Sequence, residues 1–309
     1  MNKYKKNILV AGGDLRQVTI AKLFSNEHNV FCVGIDDNSI EKFKTTVDDL
    51  IINNIRLDYI IFPMPLSVDN NLLNTPFSNK QIVIDDILSL CCKDTTIFGG
   101  KISNVLQEHF EKKKIRFFDY LQREELAILN AQVTSEGAIQ IIMEELPKTI
   151  FQTKCLVVGF GRIGKILSKQ LSLLGADVSV CARSYKDLAT IETYNLNAFN
   201  IKDLKTQVTK NDCIINTVPA TLFDKEILKE IKKGNLSCQE KKENFESFSP
   251  LLLDLASKPG GIDLVYASKL GLNAIWALSL PGKIAPITAG KIVYKTILNI
   301  ESERSFDCE

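Results

Sequence analysis

The residues with the clearest chemical capacity are Gly159-Phe160-Gly161-Arg162-Ile163-Gly164. They follow the apolar, β-branched run Thr153-Lys154-Cys155-Leu156-Val157-Val158 and precede Lys165-Ile166-Leu167-Ser168, whose spacing is helical. In a strand, turn and helix of this composition the first glycine permits the tight turn and the second lets backbone approach a pyrophosphate. The third lets helix and strand pack closely, and the helix N-terminus adds free N–H donors and the positive end of its dipole. The predicted ligand is a nicotinamide dinucleotide. Its type is read at the end of the next strand, Asp177–Cys181, where an acidic residue would bond a ribose 2′-hydroxyl. Ala182-Arg183-Ser184 stands there instead. Arginine and serine suit a 2′-phosphate, since a charge-assisted hydrogen bond contributes about 1.5–3 kcal/mol. NADP is therefore favoured, while NAD stays usable if Arg183 only stacks on the adenine. Further along, Asn216-Thr217-Val218-Pro219-Ala220 bends at a strand's carboxyl end, where ligands of open sheets bind. Asp254 to Gly261 and Ala277 to Lys283 form two more such ends. Each of the three also reads as an ordinary strand-to-helix turn.

The histidines narrow the chemistry. Only His28 and His109 occur, both in the first half, whereas a 2-hydroxy-acid dehydrogenase of this layout needs a proton-transferring histidine in the second. Tyr266 and Lys269 are three apart, not the four of a Tyr-x-x-x-Lys pair. Removing hydride from a partly reduced ring that becomes aromatic has its own thermodynamic drive and asks less of a protein acid or base. Such a substrate would be held by cations and helix-terminal donors. Gly12-Gly13-Asp14-Leu15-Arg16, at the first strand-to-helix turn, offers Arg16 as a carboxylate clamp, the plain alternative being an exposed first-turn arginine.

The elements that must position these groups alternate between short apolar runs and amphipathic stretches, the pattern of a parallel α/β sheet covered on both faces. Strands are predicted at Ile8–Gly12, Val30–Ile35, Tyr59–Pro63, Thr96–Phe98 and Arg116–Asp119. In the second half they are predicted at Leu156–Val158, Val178–Cys181, Ala198–Asn200, Cys213–Val218, Leu251–Leu255 and Ala274–Leu278. Between the halves, Glu124 to Glu145 has helical spacing and Pro147 ends it. The polar segment Gly234 to Pro250 reads as a mobile surface insertion, and Ile284 to Ile300 as a helix returning to the first domain. The fold class is thus two doubly wound parallel-sheet domains joined by long helices: residues 1–125 flavodoxin-like, 126–149 an interdomain helix, 150–283 Rossmann-type and 284–309 the returning helix.

With 38 basic and 37 acidic residues in 309, the net charge of +1 argues against nucleic acid. No apolar run approaches a membrane span and the N-terminus lacks a signal h-region, so a soluble, cytoplasmic protein is expected. The 8 cysteines form no C-x-x-C pair and lie near no histidine, so neither a metal nor a disulfide is expected. Cys32, Cys155, Cys181 and Cys213 fall in strand-like runs as small hydrophobes.

Taken together, Gly12 to Arg16, Asn130 to Ala138, Gly159 to Gly164, Asp254 to Gly261 and Leu280 to Gly290 resemble the family of dipicolinate synthase A-subunits, over nearly the whole chain. Asp254-Leu255-Ala256-Ser257-Lys258-Pro259-Gly260-Gly261 and Leu280-Pro281-Gly282-Lys283 carry more of the resemblance than the glycine fingerprint, which alanine and hydroxy-acid dehydrogenases share. The resemblance implies oxidation of dihydrodipicolinate to pyridine-2,6-dicarboxylate, for dipicolinic acid biosynthesis in the mother cell of a sporulating bacterium, with the flavoprotein-like B-subunit of dipicolinate synthase as partner. It places NADP on Gly159, Phe160, Gly161, Arg162, Ile163, Gly164, Arg183, Ser184, Thr217, Val218, Pro219 and Ala220. The dicarboxylate falls to Asp14, Arg16, Thr134, Glu136 and Lys283, with Lys258 as the candidate catalytic group. The chain departs from the family pattern at Gln132-Val133-Thr134, where a proline commonly precedes the threonine, and in a longer insertion from 235 to 250. A 2-keto or amino acid dehydrogenase, an NADP-binding sensor or scaffold, and self-association all stay open.

Overall fold

The computed structural model describes residues 4–240 and 248–306. These divide into two compact units, Met1–Asn130 with Pro281–Glu309, and Ala131–Leu280.

In the first unit β1 (Asn7–Ala11), α1 (Leu15–Phe24), β2 (Asn29–Val33), α2 (Val47–Ile52), β3 (Tyr59–Ile61), α3 (Ile84–Leu88), β4 (Thr96–Gly99), α4 (Asn104–Lys112) and β5 (Arg116–Asp119) alternate along the chain. All five strands run parallel in the order β2-β1-β3-β4-β5. Ile8, Leu9, Val10 and Ala11 of the central strand are fully buried, as expected of a strand with helices on both faces. Burying a side chain such as Ile8 or Leu9 contributes about 1.5–3 kcal/mol. The long helix α5 (Glu124–Glu145) begins in this unit and continues into the second.

The second unit contains β6 (Lys154–Val158), α6 (Arg162–Leu173), β7 (Asp177–Ala182), α7 (Tyr185–Thr193), β8 (Asn197–Asn200), α8 (Leu204–Gln207), β9 (Cys213–Asn216), α9 (Lys225–Glu240), β10 (Leu251–Asp254), α10 (Leu264–Lys269) and β11 (Asn273–Trp276). Its six parallel strands run β11-β10-β9-β6-β7-β8. Cys155, Val157, Ile214 and Leu252 are among its fully buried strand residues. Burial pushes the thiol of Cys181 up to about 12, as suits a cysteine used as a hydrophobe.

The chain then forms α11 (Leu280–Ile284) and α12 (Pro286–Phe306). α12 belongs to the first unit and packs along α1, so closely that a β-carbon on Gly290 would lie 2.7 Å from the carbonyl oxygen of Arg16.

Several sequence expectations need correction: the strands predicted as Val30–Ile35, Tyr59–Pro63 and Ala274–Leu278 end two residues early, at Val33, Ile61 and Trp276, and two further differences have a visible cause. Gly234 to Glu240 is the end of α9 rather than part of an irregular insertion. Leu, Gln and Glu are good helix formers, and Gly234 is fitted against Thr209, where a β-carbon would meet that side chain at 2.9 Å, so this glycine is a packing residue within the helix. The rest of the expected insertion, 241–247, lies outside the described residues. The strand predicted as Cys213–Val218 stops at Asn216, because the Asn216 side chain bonds both the N–H and the carbonyl of Val218 and turns the chain there.

Candidate functional site: a glycine turn and two linked strand ends

β6 delivers the chain into the turn at Gly159, whose φ of +103° is the left-handed region that favours glycine. A β-carbon there would stand 2.4 Å from the Thr217 hydroxyl, and one on Gly164 would stand 2.1 Å from the carbonyl oxygen of Gly159. Both glycines are therefore fixed by close approach inside the protein. Gly161 is different. A β-carbon on it would meet nothing within 4 Å, and as N-cap of α6 it brings no side-chain oxygen to the helix N-terminus. Open space faces a helix end whose first N–H groups have no side-chain cap, which is the geometry a pyrophosphate fits.

The remaining fingerprint residues divide by role. Phe160 is buried, its ring centroid 6.1 Å from that of Tyr194. Arg162 is exposed at the first position of α6 and Ile163 is half-buried beside it. At the end of β7, Arg183 is exposed, as is Ser184. The Ser184 hydroxyl caps α7, accepting from the N–H of Asp187 at 3.0 Å and donating to its carboxylate at 2.7 Å. Of the pair, the Ser184 hydroxyl is thus engaged within the protein. Thr217 donates its hydroxyl to the carbonyl of Val158 at 2.9 Å, tying the end of β9 to the start of the glycine turn, and Pro219 and Ala220 follow as exposed residues.

Asn216 and Asp254, each the first residue of a candidate strand end but given no role of its own by the sequence, hold the neighbouring strand ends together. Asp254 is 1 % exposed, and its carboxylate accepts from the Asn216 amide at 2.8 Å and from the N–H groups of Ala256, Gly261 and Ile262 at 3.0, 2.7 and 3.2 Å. A buried carboxylate is costly unless its lone pairs are met. The only sequence signals were an asparagine and an aspartate at two strand ends. Lys258 is exposed on the loop they hold, between exposed Ser257 and Pro259.

In the first unit Asp14 caps α1, accepting from the N–H of Arg16 at 3.0 Å. The same carboxylate takes Nε of Arg16 at 2.9 and 3.2 Å and one terminal nitrogen at 2.8 Å; that nitrogen also donates to the carbonyl of Met64 at 3.1 Å. Burial works to lower the Arg16 pKa, but the bonds and charge of Asp14 outweigh it, and the group is held above its ordinary value. Arg16 is thus a half-buried partner of Asp14, its charge matched by that carboxylate and its other terminal nitrogen outside these bonds, not an exposed first-turn cation. Gly282 lies against this pair, where a β-carbon would stand 3.2 Å from the guanidinium, and Lys283 beside it is exposed. Thr134 and Glu136 lie on the part of α5 in the second unit, where Glu136 accepts from Gln132 at 2.7 Å. A separate groove of about 620 Å³ runs beside the edge strand β2, lined by Val33, Asp36, Lys44, Lys80 and Ile82. None of the sequence-predicted residues lines it. No cluster of His, Cys, Asp and Glu able to hold a metal occurs among the described residues.

Comparison with known proteins adds to this geometry. Residues 7–121 match the family model for the N-terminal domain of the dipicolinate synthase A-subunit. Residues 125–236 match that of the D-isomer specific 2-hydroxyacid dehydrogenase NAD binding domain. The dipicolinate synthase A-subunit of Bacillus subtilis (strain 168) is 32 % identical over 301 residues, covering 96 % of each chain. The crystal structure of the dipicolinate synthase A chain from Bacillus subtilis superposes with a TM-score of 0.82 at 30 % identity, over 99 % of this chain and 98 % of that one. The A-subunit structure from Bacillus halodurans gives 0.81 at 29 %, over 96 % and 97 %.

Proposed function

The chain belongs to the family of dipicolinate synthase A-subunits, and from that premise we propose that it oxidises dihydrodipicolinate to pyridine-2,6-dicarboxylate, with NADP taking the hydride. The observation that carries the reading is the uncapped, unfilled turn at Gly161, on a domain of the nicotinamide-binding type. When bound, NADP supplies the hydride acceptor. What the chain supplies is position. Gly159 to Gly164 present backbone N–H groups to the pyrophosphate, Arg183 meets the 2′-phosphate, and Thr217 to Ala220 line the turn from the neighbouring strand end.

For the substrate, two carboxylates need cationic or N–H partners to offset their desolvation. Arg16, held by Asp14, presents its remaining nitrogen and Lys283 adds a second cation; Thr134 offers a hydroxyl, while Glu136, an acceptor, is carried into the proposal by the family resemblance alone. Lys258 is the group assigned to orient the diacid, its ammonium meeting a carboxylate. The oxidation removes a hydride and a proton, and aromaticity drives it, so no histidine is required. The flavoprotein-like B-subunit is the partner in this reading, and dipicolinic acid biosynthesis in the mother cell its setting. No described helix is long and apolar enough to cross a membrane.

The test is to incubate the purified protein with fresh lysine-pathway synthase product and NADP while recording pyridine-dicarboxylate absorbance. An NADP-dependent rise is expected. Coenzyme binding with no rise, with or without the B-subunit, would move the assignment to a sensor or scaffold. Parallel titration with NADPH and NADH is expected to favour NADPH.

A further inference from the structure

The carboxylate of Asp254 is buried, and the donors that meet it are a neutral amide and three backbone N–H groups. A leucine would fill a strand end at no such desolvation cost. What the carboxylate provides is geometry. It grips the Ala256 to Ile262 loop at both ends, through Ala256 on one side and Gly261 and Ile262 on the other. Asn216 carries that grip to β9: its amide donates to Asp254 and to the carbonyl of Val218, and its oxygen accepts from the Val218 N–H. The next residue, Thr217, is bonded to Val158 and sits where a β-carbon on Gly159 would be. Gly261 fits so tightly that a β-carbon would come within 2.2 Å of the Asn216 amide nitrogen, and its carbonyl accepts from the N–H groups of Leu222 and Phe223. On the far side the Trp276 indole N–H donates to the carbonyl of Ala256 at 2.9 Å, and its ring lies 3.2 Å from where Gly260 would carry a β-carbon.

One continuous set of contacts therefore runs from the glycine turn through Thr217, Asn216 and Asp254 to the loop that carries Lys258, with Trp276 closing it. We infer that Asp254 is a positioning residue, which with Asn216 sets the Lys258 loop against the glycine turn and acts on turnover rather than on coenzyme affinity. This rests on the function proposed above.

Asp254→Asn tests it, because the amide keeps the volume but turns one acceptor into a donor facing N–H groups. Turnover is expected to fall about a hundredfold, the size of effect that a displacement near 1 Å produces. The NADPH Kd should stay within about twofold of wild type, which separates loss of catalytic geometry from loss of binding. Emission should shift to longer wavelength, and Trp276, the only tryptophan, is its source. A milder variant, Trp276→Phe, keeps a ring but loses the bond to Ala256, and is expected to lower turnover about tenfold at unchanged Kd; it decides the matter if Asp254→Asn does not accumulate as folded protein. Wild-type turnover in either variant, or a Kd that weakens in step with turnover, overturns the inference while leaving the function intact. Wild-type protein that binds no coenzyme overturns both.

Discussion

After β1 the chain turns through Gly12 and Gly13 into α1, and after β6 it turns through Gly159 to Gly164 into α6, yet the two turns are finished differently. The first is closed by the protein itself. Asp14 caps the helix, the N–H of Gly13 donates to the carbonyl of Asn74, and a β-carbon on Gly12 would strike that carbonyl at 2.7 Å. The second has no side-chain cap and open space at Gly161. Two junctions with the same sequence logic thus separate into a filled one and one suited to a ligand. The difference lies in which atoms occupy the helix end, not in the glycines.

The comparison can be broken most severely at Gly164. Gly164→Ala places a carbon against the Gly159 carbonyl, and NADPH affinity should fall by about a hundredfold or more, as titration would show. Gly12→Ala, at φ +65°, should instead cost about 1–3 kcal/mol of stability in a thermal melt and leave coenzyme binding alone. Gly161→Asp would copy the Asp14 cap onto the open turn. Its φ of −79° suits any residue, so the variant should fold, with its melt unchanged or raised by roughly a few tenths of a kcal/mol, while NADPH binding weakens about thirtyfold because a carboxylate now holds the phosphate position. If binding is kept, the open helix end is not the phosphate site. Arg183→Ala should weaken NADPH about tenfold and NADH little, and equal loss for both coenzymes would remove the 2′-phosphate assignment.

The smallest expected effect separates the units by acid. In the first unit a bond from His109 holds the Asp85 carboxyl below its usual range, the N–H groups of Leu72 and Asn71 do the same for Asp69, and Arg123 does so for Glu303. A carboxyl depressed in the folded state adds stability above its unfolded pKa and loses it as pH falls through the folded value. That loss begins near the ordinary 3.8 of aspartate and 4.5 of glutamate and continues downward. Hydrogen exchange followed between pH 5 and 2.5 should therefore show first-unit peptides opening at higher pH than those of the second unit. The reverse order would mean that these pairs are too exposed to matter.

Much of this was legible from one-dimensional pattern. The first strands of the two sheets, Ile8 onward and Leu156 onward, are apolar runs buried on both faces, and such runs declare themselves. The glycine fingerprint marked the turn between β6 and α6, because Gly159 and Gly164 answer close approaches within that turn and to Thr217. What stayed hidden depends on residues far apart in sequence. Nothing in Asn74 says that its carbonyl will cover Gly12, and nothing in Asn216 and Asp254, 38 positions apart, says that they will meet. Arg16 read as a free cation because the caging Asp14 reads first as a cap. Gly234 read as the start of an insertion because its neighbour Thr209 is invisible until α9 is folded.

The placement of α12 has a consequence for how the polypeptide is made. The face of α1 that receives this helix belongs to the earliest part of the chain, and the helix itself emerges only after the whole of the second unit has been synthesised. A ribosome therefore releases the second unit, whose residues are contiguous, able to close while the first still waits with an apolar groove uncovered. Any slowing of translation between Ala131 and Leu280 lengthens that exposure, and chaperone demand should follow it.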